Sequence, residues 1–123
     1  MSDILDAHIP SEEFDVFQVA QITRGTSLEH VVAVDLVFVP PGKSSEIHRH
    51  VGTESVLYIL EGSGTVIVGE TSYPMRKGAR IFIGKGVFHG VRTEGEGLSF
   101  LSVQSPPILD NERERLDLEL LGT

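Results

Sequence analysis

A chain of 123 residues with no cysteine and a formal net charge of −8 has the length of one domain able to bury its own core, without disulfides, a thiolate metal site or a cysteine nucleophile. Its acidity argues against nucleic acid or an anionic membrane as partner, because both need a basic patch. No basic stretch followed by an apolar one opens the chain, and the longest apolar run, Val31 to Val39, is broken by Asp35 and too short to span a bilayer; these features point to a soluble, cytoplasmic protein.

Thirteen glycines and six prolines punctuate short runs of Val, Ile, Phe, Leu and Thr, the pattern of many short strands joined by tight turns. An all-β chain is expected, with strands near 14–19, 30–39, 46–50, 54–61, 64–70, 80–83, 87–93 and 97–104. The glycine-rich "EGSGT" at 61–65 reads as a hairpin turn between two of them. Strands at this spacing close into a sandwich or barrel. The charged, Leu-spaced end at 110–123 suits either a short capped helix or a tail strand. The expected plan is therefore a single domain over 1–123, with the barrel at about 30–104, an N-terminal segment 1–13 and a tail 105–123.

Chemistry concentrates in "EIHRHVGTE" (46–54) and "GVFHG" (86–90). Residues two apart on a strand share a face, so His48 and His50 project together while Arg49 points away. Two imidazoles from one strand, joined by His89 from another and by a carboxylate, are a donor set for one divalent transition ion with positions left open. Glu46 shares the His48 face, although its place after a proline-glycine turn favours a solvated position.

At these residues the chain resembles the cupin superfamily. That family's first motif runs Gly, five residues, His-x-His, three or four residues, Glu, six residues, Gly. Here it becomes Gly42, His48-Arg49-His50, Glu54 and Gly62. The second motif, Gly, five residues, Pro-x-Gly, two residues, His, three residues, Asn, corresponds to Gly78, Gly84-Lys85-Gly86, His89 and Thr93, with Gly84 and Thr93 as departures. The resemblance covers about 40–104. It implies a double-stranded β-helix, or jelly-roll, barrel holding a metal through His48, His50, His89 and Glu54, in a family that contains dioxygenases, isomerases, decarboxylases, lyases and binding or sensor modules.

One register stays open. Glu54 fits the short spacing from His50 but leaves seven residues before Gly62, whereas the long spacing puts Ser55 in the glutamate slot. A one-residue slip turns a strand side chain to the opposite face, and a bulge can undo it.

The other histidines, His8 and His30, stand outside any ligand spacing and read as solvated. The glycines of 84–90 lack the lysine-serine ending of a phosphate loop, and no G-x-S-x-G elbow occurs. Tyr58, Arg80 and Arg92 are equally compatible with a pocket or an outer face. Because "SVLYILEG" (55–62) is apolar in both alternation phases, both faces of that strand are expected to be covered, the outer one by a terminal segment or by a second copy, of which a homodimer is the commonest form. The functional expectation is an enzyme of dioxygenase, isomerase or lyase type acting on a small oxygen-bearing molecule through one divalent ion (Fe, Mn, Zn, Ni or Cu). A non-enzymatic small-molecule-binding or sensor module is the alternative.

Overall fold

Period-two alternation governs the burial of the chain. In Leu98–Ser105 every even-numbered residue is buried, and in Ala33–Val39 the buried residues are Val37 and Val39, as expected where one sheet face meets a core. In the computed structural model, which describes residues 9–110 and 115–122, the strands are β1 (Ser11–Phe14), β2 (Phe17–Gln21), β3 (Ala33–Val39), β4 (His48–Arg49), β5 (Glu54–Val68), β6 (Thr71–Arg76), β7 (Arg80–Ile83), β8 (His89–Arg92), β9 (Leu98–Ser105), β10 (Leu109–Asp110), β11 (Arg115–Leu116) and β12 (Glu119–Leu120). Among the described residues there is no helix, so none is long and apolar enough to cross a membrane.

The main sheet runs β1-β2-β3-β9-β5-β8-β4-β12, with β6 and β7 also paired to β5, and every pairing is antiparallel. Strand β5 serves two layers. Its first half lies between β9 and β7, and its second half between β6 and β8. This curled all-β arrangement is a jelly-roll barrel. Val37, Val39, Leu57, Ile59, Val66, Val91, Leu98 and Phe100 from both layers form its buried core.

The expected hairpin at 61–65 is not there. The chain runs through it as one bent strand, and the register against β9 slips between Ile59 and Glu61, leaving Leu60 as the extra residue of a bulge. Gly62 makes the bend possible. It sits at φ +82°, and a Cβ there would overlap the Gly97 carbonyl; only glycine combines that conformation with such an approach. Glycines that announce a turn announce a bend equally well, which is why the sequence pattern misled here.

Two further elements differ from expectation, and the C-terminal stretch takes one of the two forms foreseen for it. The strand foreseen at 14–19 is a hairpin, β1 and β2, whose turn has Asp15 at φ +55°. Strand β6 carries exposed polar residues and Pro74, so it gave no alternation signal. The C-terminal stretch is the tail-strand alternative where described: β12 pairs with β4, and Leu121 N–H donates to the Ile47 carbonyl at 2.9 Å. An Arg49–Glu119 salt bridge at 3.0 Å clips the same edge.

Candidate metal centre

Adjacent strands on one side of the barrel bring three histidines together. His48 on β4 is the register partner of His89 on β8, and His50, two residues beyond His48, comes just after β4. All three are buried, with 6–7% of their surface exposed. Ring centroids are 4.4 Å apart for His48 and His89, 5.0 Å for His50 and His89 and 5.1 Å for His48 and His50. One ring nitrogen from each lies within 4.8 Å of the others. Phe17 packs edge-on to His48 at 6.2 Å.

The orientation of each ring is fixed from behind. The Nδ1 of His48 is 2.8 Å from the Glu46 carbonyl, that of His50 is 2.6 Å from the Asp117 carbonyl, and that of His89 is 2.9 Å from the Val87 carbonyl. A carbonyl oxygen only accepts, so each Nδ1 carries the hydrogen, and in the neutral ring the lone pair is left on Nε2. Backbone partners of this kind hold imidazoles in the tautomer a metal needs.

Electrostatics favour the same state. Burial lowers the pKa of His89 from 6.5 to about 4, with the neighbouring His48 and His50 adding to the effect against the opposing bond that His89 donates to the Val87 carbonyl. Burial likewise lowers His50, partly countered by its bond to Asp117. Neutral imidazoles at neutral pH are ligands ready for use. Three buried imidazole nitrogens fit a borderline divalent transition ion, so the cluster could hold one.

The structure does not bring Glu54 to this cluster. Glu54 is exposed at the start of β5, while Ser55, Leu57 and Ile59 take the inward phase. The bulge foreseen as a remedy exists, but it lies at Leu60, beyond the inward-facing Ser55. Ser55, 4% exposed, takes the inward position beside Glu54 and lines the same cavity as the histidines. Glu46 is exposed at the cavity rim, its N–H donating to Asp15 Oδ2 at 2.7 Å. His30, Tyr58, Arg80 and Arg92 are exposed, and His8 lies outside the described residues.

Thr93, the departure at the end of the second motif, is 3% exposed. Its Oγ1 donates to the Pro40 carbonyl at 2.5 Å and accepts the Lys43 N–H at 3.0 Å. It ties the loop before the histidines to β8.

The cavity has a volume of about 500 Å³. Phe17, Val19, Leu57, Val91 and Phe100 line its walls, and the C-terminal stretch covers it with Ile108, Leu109, Leu116 and Leu118. That stretch supplies a residue sequence reasoning missed. Asp117 accepts the N–H groups of Val51 and Gly52 through its carboxylate, each at 2.8 Å, while its own carbonyl receives His50. No spacing rule connects residue 117 to residue 50, so nothing in the sequence announced it. Asp117→Ala keeps the carbonyl that receives His50 and removes the carboxylate that holds the Val51 and Gly52 N–H groups, so it is expected to free the 51–53 loop and to lower metal affinity by less than the about 10- to 100-fold that follows outright loss of a ligand's outer partner. A chelator-competition titration measures this, and unchanged affinity would remove Asp117 from the site's support.

Comparison with known proteins agrees with this geometry. Residues 35–104 match the Cupin_2 family model, the cupin domain. An uncharacterized protein of Methanocaldococcus jannaschii is 30% identical over 80 residues, 64% of this chain and 64% of that protein. An oxalate-binding protein of Thermotoga maritima is 33% identical over 66 residues, 53% of this chain and 54% of that protein. The chain thus spans less than two thirds of the length of either relative. The crystal structure of a predicted oxalate decarboxylase of Thermotoga maritima superposes with a TM-score of 0.72 at 23% identity, covering 80% of this chain and 94% of that one, a likeness of fold. With the jelly roll, the histidine spacing and the family model in agreement over more than half of its length, the chain belongs to the cupin domain family.

Proposed function

We propose that the protein is a metal-dependent cupin enzyme acting on a small oxygen-bearing molecule, by chemistry of the dioxygenase, isomerase or lyase type. His48, His50 and His89 hold one divalent ion of Fe, Mn, Zn, Ni or Cu. The observation that carries this reading is the convergence of three buried imidazoles, each tied through Nδ1 to a backbone carbonyl, on one cavity. When bound, such an ion supplies Lewis acidity to a substrate oxygen. The chain's own part is to present three neutral nitrogens, to exclude bulk water with the apolar wall and the C-terminal cover, and to offer polar groups on the facing sheet. Metal content per chain, measured after purification without added metal or affinity tag and after exposure to the five ions, tests the reading. About one ion per chain is expected, and a chain that carries none and takes none up overturns it.

A non-enzymatic binding module is the second reading, favoured by the relative named for binding oxalate. Turnover separates the two: a metal-loaded protein that binds small oxygen ligands and converts none of them is a binder.

The assembly that goes with this reading is a homodimer. The outer face of β3, β9, β5 and β7 carries Leu36, Phe38, Val103, Tyr58 and Phe82, each 37–57% exposed. The pairing registers align Leu36 with Leu101 and Tyr58, and Val103 with Val56 and Phe82. A contiguous apolar face of this kind is more than isolated surface residues need, and a self-complementary patch of about 800 Å² per partner makes a standard two-fold interface. Light scattering is expected to give twice the chain mass, and Phe82→Glu to give the monomer. A monomeric wild type overturns the dimer.

A further inference from the structure

The cavity has two unlike poles. The histidines stand on β4, β8 and the residue just after β4, while the facing sheet places Asp35 of β3, Ser102 and Gln104 of β9 and Ser55 of β5 on the inward phase of adjacent strands. Ser55, Ser102 and Gln104 are 4–6% exposed. Gln104 Nε2 donates to Asp35 Oδ2 at 2.9 Å and to Ser102 Oγ at 2.8 Å, which uses both hydrogens of its amide. Asp35 Oδ1 has no partner among the described residues, and no cation pairs with Asp35 there.

A carboxylate inside an apolar barrel is expensive to desolvate, and burial raises the pKa of Asp35 above its ordinary value against the lowering effect of Gln104. One amide bond meets part of that cost. Asp35 lines a cavity whose other charged walls, among the described residues, are Asp15, Glu29 and Glu46, against one guanidinium, Arg24. Arg24 already pairs with Glu12 at 2.9 Å. This pole therefore repels a second anionic group on a ligand and receives a hydrogen-bond donor. The metal pole has the opposite preference, since three neutral imidazoles leave the charge of a divalent ion unbalanced.

Resting on the metal-centre reading above, we propose that Asp35 is the specificity-determining residue of this site, selecting small hydroxy acids. Their carboxylate and adjacent oxygen lie at the histidine pole and a further hydroxyl donates to Asp35 Oδ1. On this assignment the ligand is a hydroxy acid with a second hydroxyl rather than a dianion such as oxalate, which offers Asp35 nothing to accept.

Two changes, one on each side of the bond, test this. Glycerate and lactate differ only by the terminal hydroxyl, and Asp35→Asn keeps the shape and the bond from Gln104 while removing the charge. Calorimetric titration of wild type and Asp35→Asn with glycerate, lactate and oxalate, with metal content measured on the same samples, gives the coupling directly. Wild type is expected to bind glycerate about tenfold or more tightly than lactate, as a hydrogen bond to a charged group allows. That preference is expected to vanish in Asp35→Asn, while oxalate affinity holds or rises. Equal binding of glycerate and lactate by wild type, a preference that survives in Asp35→Asn, or no binding of glycerate at all overturns the assignment. The two readings fail separately: chains without metal that keep the Asp35-dependent preference sink the metal centre alone, and metal-loaded chains without the preference sink Asp35 alone.

Discussion

His48→Ala and His89→Ala are each expected to abolish the metal content proposed for the wild type, while Glu54→Ala is expected to retain it in full. The two histidines face each other across the β4–β8 ladder with ring centroids 4.4 Å apart, so removing either leaves two imidazoles and no third protein donor within the group of His48, His50 and His89. The loss should exceed by far the 10- to 100-fold typical of outer-partner changes. Glu54 points to solvent from the outward phase of β5, and its truncation removes nothing from the cavity. Elemental analysis of the three variants decides the ligand set. Metal lost in Glu54→Ala would require β5 to rotate by one residue, against the register Ser55↔Gln104 seen here.

Stability of the metal-free protein is expected to fall steeply between pH 6.5 and pH 4. His89 has its folded pKa lowered to about 4 by burial, below the unfolded value of about 6.5. Above pH 6.5 neither state holds the proton and the group contributes no penalty. As pH drops through this window, the unfolded chain takes up a proton that the folded one refuses, so folding weakens; below about pH 4 both states are protonated and the loss levels off. For His89 alone the full loss is about 3 kcal/mol. His50, also lowered by burial, acts in the same direction. Asp35, raised by burial, works in the opposite sense at the acid end, because its folded form is protonated first as pH falls. Urea unfolding of chelator-treated protein from pH 7.5 to pH 4 measures the slope, and His89→Gln should flatten it. A slope unchanged in that variant would mean that another group governs acid lability.

The sequence carried the histidines well and their supports poorly. His48 and His50 were legible because strand alternation forces them to one face, and His89 because its spacing from Gly78 and Gly86 puts it at a strand start. The Glu54 or Ser55 question was visible as a register conflict but was not decidable, since a bulge anywhere between His50 and Gly62 shifts the phase. The bulge at Leu60 falls past the site and leaves Ser55 inside. Asp35 appeared only as a break in an apolar run, because its role depends on Gln104, which lies 69 residues away. Asp117 was illegible for the same reason. Alternation reports which face a side chain takes, and long-range pairing decides what it meets there.

The carbonyl that fixes His50 belongs to a residue 67 positions further along the chain. The carboxylate that clips Arg49 lies 70 positions away. Closing loops of this length costs entropy before any contact repays it, and chains dominated by such pairings fold in roughly milliseconds to seconds, well behind helical bundles. The three imidazoles are therefore expected to become a rigid trio late in folding, once the stretch that carries Asp117 and β12 has settled on β4. An ion taken up by the proposed centre is then expected to enter a finished barrel rather than to seed one.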